Sequence, residues 1–186
     1  MDFEALRNKK IKVCGFELIT VPATIEYAKE IFKIVQSDPS GMLFWMPDGL
    51  FKSPENVLIS YFQQSKSTKY MMFGIFKDGK LLGEIGFSGI SIKSGKVAIG
   101  YWLRKSARGH NIINKILPRI EKIAFEQDWC HKIQIYCDAE NIASKSIAEK
   151  NGYVLEGVLR QEGKWPNGSL RDKLYFGKLK SEWNKK

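Results

Sequence analysis

Near the middle of the chain, "YMMFGIFK" and "KLLGEIGFSGI" flank the dipeptide Asp78-Gly79. Both residues of a two-residue type I′ turn need positive φ, which Asp and Gly tolerate, so the pair predicts a tight hairpin. A link this short forces antiparallel neighbours, and any fold for this chain must be built around that sheet. "KVAIGYWL" follows as a third strand. Upstream, "FELITVP" is a short strand closed by Pro22, and "TIEYAKEIFKIVQ" puts Ile25, Ala28, Ile31, Phe32 and Val35 on one helical face with Thr24 as N-cap. Ser53, Pro54 and Glu55 start a second helix whose apolar face is Val57, Leu58, Tyr61 and Phe62.

Downstream, "NIINKILPRIEKIAFEQ" has helical period, with Pro118 inside as an expected kink. "HKIQIYCD" reads as a strand, and "NIASKSIAEKNGY" as a short helix stopped by Asn151-Gly152. "YVLEGVLRQEGKW" and "SLRDKLYFGKLK" form a last hairpin around Pro166-Asn167-Gly168. The order β-α-α-β-β-β-α-β-α-β-β argues a mixed α/β or α+β fold, with helices on both faces of one sheet. At 186 residues, with no repeat or low-complexity linker, the chain is expected to be a single domain, 1–186.

Composition narrows the function classes. No apolar run approaches the roughly 20 residues of a membrane span. The start, "MDFEALRNKKIKV", has no apolar h-region, and three cysteines without a C-x-x-C pair suit reduced thiols, so a cytoplasmic protein is expected. His110 and His131 lack partners at metal-ligand spacing, and no metal is expected. The formal charge of +10 suits a polyanionic ligand, nucleic acid, or simply a lysine-rich solvated surface.

The stretch "YWLRKSARGHNIINKIL" concentrates the chemistry. A strand passes through a basic turn directly into a helix. The first helical turn leaves unpaired N–H groups and partial positive charge, which suits phosphate. Arg104, Lys105 and Arg108 add full charges, and Gly109 allows close backbone approach. The spacing is neither that of a Walker A loop nor of a dinucleotide fingerprint.

"IGYWL" entering "ARGHNI", then "NIASKSIAEKNGYVLEGVLR", then "GSLRDKLYFGKLKSEW" resemble the GNAT superfamily of acetyl-CoA-dependent N-acetyltransferases, in its RimJ/RimL-like branch. The terminal Glu182-Trp183 matches as well. The resemblance implies a single GNAT-type domain, with a mostly antiparallel sheet splayed between two parallel strands, Ala98–Leu103 and Ile133–Asp138. It implies that acetyl-CoA lies along Trp102, Leu103 and Arg104, with its pyrophosphate on the turn of Ser106, Ala107, Arg108, Gly109, His110, Asn111 and Ile112. Asn141 and Ser144 head the next helix and face the same cosubstrate; Asn141 also reads as that helix's N-cap.

Three positions depart from the superfamily pattern. Ser106 replaces a Gln or Arg, Asn111 replaces a small residue, and Ala148 stands where many relatives carry a tyrosine acid. Ser144 is the substitute acid expected from the branch. Glu84, Tyr136 and Asp172 are the candidate bases. Glu84 interrupts an apolar strand and belongs either to the cleft or to a solvent-facing side. Trp45, Met46, Phe51, Tyr61 and Trp165 either line the acceptor pocket or pack as ordinary core and loop residues. The expected acceptor is a protein N-terminal amine of ribosomal-protein type. Small amines, amino sugars and antibiotics are the alternatives, as is a non-catalytic CoA-binding or RNA/ribosome-binding protein. No specific nucleic acid is expected, and a homodimer is left open.

Overall fold

The structure, a computed structural model, describes Leu6 and residues 9–39, 52–165 and 167–183. The strands are β1 (Lys10–Val13), β2 (Phe16–Thr20), β3 (Met71–Lys77), β4 (Lys80–Ser91), β5 (Lys96–Leu103), β6 (Lys132–Asp138), β7 (Val154–Lys164) and β8 (Leu170–Leu179). They form one mixed sheet in the order β1-β2-β3-β4-β5-β6-β8-β7. The helices are α1 (Ile25–Ser37), α2 (Pro54–Lys66), α3 (Ile112–Phe125), α4 (Ile142–Lys150) and α5 (Lys180–Trp183). The α+β expectation holds. The described residues of Asp2–Gly86 and Tyr101–Ile112 form one compact unit, and those of Phe87–Gly100 and Ile113–Lys186 a second.

Local chemistry explains most boundaries. Asp78 and Gly79 have φ of 50° and 73°, as a type I′ hairpin requires. The Thr24 side chain accepts from Tyr27 N and that of Ser53 from Asn56 N, so both helices start on side-chain caps. One strand escaped the sequence reading. β1 pairs with β2 through Cys14-Gly15, which have φ of 49° and 80°. Cysteine is an unusual residue for that position, so the turn carries no familiar signature. Pro118 does not interrupt α3, which runs unbroken to Phe125.

The first unit's core gathers Tyr27, Ala28, Ile31, Ile34 and Val35 of α1, Val57 and Tyr61 of α2, Leu81 and Trp102. The buried face of α1 is therefore turned toward Tyr27 and Ile34, leaving Ile25 and Phe32 half-buried. On α2, Phe62 is 50% exposed instead of buried, with the Lys66 ammonium 4.2 Å from its ring centre. Periodicity placed Phe62 beside Tyr61, but the stripe of α2 that meets the core is Val57, Leu58 and Tyr61.

The second unit is organised around a buried ion pair. Lys178 Nζ on β8 donates at 2.9 Å to each oxygen of Glu121 on α3 and at 2.6 Å to the carbonyl of Asn151, the C-cap of α4. Both side chains are 4% exposed. A buried pair contributes little relative to an apolar pair, but removing one partner strands a charge in the interior. Lys178→Met is therefore expected to lower the urea-denaturation free energy by about 3–5 kcal/mol, and adding Glu121→Leu should recover most of that loss.

Candidate active site

The turn after β5 is built in eight residues. Arg104 N donates to Leu82 O at 2.9 Å, and Lys105–Ala107 makes one 3₁₀ turn closed by Ala107 N on Arg104 O. Ala107 within the turn and Ile112 at its end are buried, while Ser106, Gly109, His110 and Asn111 are exposed. Gly109 and Asn111 have φ of 80° and 58°. A side chain at Gly109 would meet nothing within 4 Å, so its backbone conformation, not space, selects glycine there. Asn111 is left-handed rather than helical, and asparagine tolerates that region better than most residues. Its bulk thus has a conformational reason. The turn leads directly into α3, whose first turn leaves unpaired N–H groups and partial positive charge.

The three cations of the turn differ in what they are free to do. Lys105 is exposed. Arg104 Nη1 donates to Leu81 O at 3.2 Å. Arg108 Nε donates to Leu103 O at 2.9 Å, and its Nη1 lies 2.7 Å from Asp38 Oδ2 as an ion pair without the alignment of a hydrogen bond.

Glu84 lies in the same unit and is 2% exposed, which overturns the solvent-facing alternative. Tyr27 and Tyr61 each donate a phenolic hydroxyl to its Oε1 at 2.9 Å, and Trp102 Nε1 donates to Oε2 at 2.9 Å. Desolvation raises the Glu84 pKa above its ordinary 4.5, against the lowering by its three donors. Burial first, and the Glu84 charge second, hold the Tyr27 phenol well above its usual 10.0; the same two causes act on Tyr61.

Asn141 and Ser144 belong to the other unit. Asn141 caps α4, its Oδ1 accepting from Ser144 N at 3.1 Å. Buried Ser144 hydrogen-bonds the Cys137 thiol, whose pKa burial raises and this bond lowers. Parallel pairing of β5 with β6 covers Lys96–Ala98 and Lys132–Gln134. Ala148 is fully buried in α4. Tyr136 is 42% exposed with its ring 5.0 Å from that of Tyr175. Asp172 Oδ1 accepts from Gln161 N at 2.8 Å, and the Trp165 ring lies under the Arg171 guanidinium at 4.5 Å. Tyr61 is taken into the Glu84 cluster, while Trp45, Met46 and Phe51 lie outside the described residues.

Residues 17–154 match the model of the acetyltransferase (GNAT) domain. The chain belongs to the GNAT acetyltransferase family. It is 29% identical over 129 residues to the putative ribosomal N-acetyltransferase YdaF of Bacillus subtilis, covering 69% of this chain and 70% of that one. It is 36% identical over 90 residues to the ribosomal-protein-serine acetyltransferase of Escherichia coli K12, covering 48% of this chain and 50% of that one. The solved structure of RimL, a ribosomal L7/L12 α-N-protein acetyltransferase in complex with coenzyme A, superposes with a TM-score of 0.83 at 19% identity, covering 92% of this chain and 98% of that one.

The cosubstrate of this acetyltransferase is acetyl-CoA. The turn, Asn141 and Ser144 stand out as candidates in the sequence, whereas the contacts of Tyr27, Asp38 and Cys137 do not. Tyr27 was hidden inside a helix, and neither Asp38 nor Cys137 carries a local motif.

The Glu84 cluster sets a pH dependence. Its pKa is raised in the folded chain, so the folded state holds this proton to higher pH than the unfolded state. Stability contributed by the protonated form is lost as pH rises from about 4.5 through the folded value. Urea titrations over that range should show this downward slope in the wild type and not in Glu84→Gln.

Proposed function

We propose that this acetyltransferase transfers an acetyl group from acetyl-CoA to a protein N-terminal amine, with a ribosomal protein as acceptor. The observation that carries the reading is the turn 104–112, where two left-handed residues lead into the start of α3. The two curated relatives named for ribosomal proteins support the choice of acceptor. Such an enzyme works in the cytoplasm, where ribosomal proteins are made.

In this reading the backbone of Ser106 to Ile112 holds the pyrophosphate, with Lys105 and Arg104 beside it. Trp102 and Leu103, beyond the paired Lys96–Ala98 of β5, supply a strand N–H that polarises the acetyl carbonyl. The neutral amine attacks that carbonyl carbon, an N–C bond forms and the C–S bond breaks. Ser144, turning from the Cys137 thiol that it meets in the free protein, donates a hydrogen bond that stabilises the departing thiolate, which takes its proton from solvent. The proton of the new amide nitrogen leaves through a Tyr27 or Tyr61 hydroxyl onto Glu84 Oε1, for which a raised carboxyl pKa is suited.

Thiol release from acetyl-CoA is to be measured with a ribosomal-protein N-terminal peptide, with the same peptide blocked at its α-amine, and with small amines. Release with the free peptide alone is expected, and Ser144→Ala should lower kcat by about 10²-fold. Release with small amines alone would reject the acceptor, and no release with any amine would reject catalysis.

A further inference from the structure

We infer that Asp38 is a positioning residue for the cosubstrate turn, acting through the Arg108 guanidinium; the inference rests on the reading that residues 104–112 receive the phosphates of acetyl-CoA. Asp38 follows the last residue of α1, and its N–H donates to Val35 O at 3.1 Å as the C-cap. That is the negative end of the helix dipole, where a carboxylate is disfavoured. The last turn of α1 carries no basic residue to offset it. The side chain is nevertheless only 9% exposed. A buried anion at the wrong end of a helix needs a cation, and Arg108 Nη1 at 2.7 Å is that cation.

The same guanidinium ties the turn to its own strand. Arg108 Nε reaches back to Leu103 O at 2.9 Å, across five residues. The side chain thus brackets the segment between the end of β5 and the left-handed Gly109. A turn with two left-handed residues has many competing conformations to lose, and a planar guanidinium held by one hydrogen bond and one ion pair removes them before the ligand arrives. Asp38 keeps the fork turned toward the protein. The phosphates then meet backbone N–H groups, Lys105 and Arg104, not the Arg108 charge.

A direct phosphate contact by Arg108 predicts the opposite behaviour, so variants separate the two. Acetyl-CoA affinity is to be measured by calorimetry, with steady-state kcat and KM and a melting curve for each protein. Asp38→Asn is expected to raise Kd and KM for acetyl-CoA by about tenfold, as lost positioning does, with the change falling on KM and not on kcat. Arg108→Gln should do the same, and the double variant should be no worse than Arg108→Gln alone. Arg108→Lys, which keeps the charge but loses the fork, should weaken binding as Arg108→Gln does. Unchanged or tighter binding by Asp38→Asn would overturn the inference, as would a lowered melting temperature with unchanged Kd. So would full affinity in Arg108→Lys, which also decides the matter should Asp38→Asn not fold. Wild-type protein that binds no acetyl-CoA would overturn the underlying reading as well; wild-type binding matched by Asp38→Asn would overturn this inference alone.

Discussion

A carboxylate removed from water must have its lone pairs satisfied, and in the first unit that demand falls on Glu84. Its two oxygens take three donors from three elements: Tyr27 of α1, Tyr61 of α2 and Trp102 of β5. All three donors also belong to the apolar core, so their rings pack while their polar tips converge. The arrangement fixes how α1 and α2 lie on β4 and β5, because a slip of either helix would leave a phenol or a carboxylate oxygen unpaired. It also fixes Trp102, which stands two residues before the basic turn.

That turn solves a second problem, which is to pass from a strand end to a helix start within a few residues. Two of its residues adopt left-handed backbone, one a glycine and one an asparagine. The glycine has open space around it, so its role is conformational. The positive φ of Asn111 accounts for asparagine at that position. Of the three nearby cations, the one nearest the glycine has its charge matched by Asp38.

Features that depend on a few adjacent residues were legible in the sequence. Asp78-Gly79, the caps at Thr24, Ser53 and Asn141, and the strand-turn-helix passage at 104–112 all stand where they were expected. What escaped depends on partners far along the chain. The Glu84 cluster spans 57 residues between Tyr27 and Glu84, and the Lys178–Glu121 pair another 57. Nothing near Glu84 distinguishes a carboxylate that faces water from one that faces two phenols. Phe62 fails for a related reason, since helical period gives the apolar face of α2 but not how wide a stripe the core will cover. Cys14-Gly15 escaped because glycine supplied only half of a familiar turn signature.

The central claim is that acetyl-CoA is received on the backbone of the turn between β5 and α3. Amide hydrogen exchange with and without acetyl-CoA tests it directly, since the ligand covers N–H groups there rather than side chains. The expected result is slowed exchange across residues 104–112, with the β1–β2 hairpin unchanged. Unaltered exchange in that turn at saturating acetyl-CoA, with protection elsewhere in the chain, would contradict the claim.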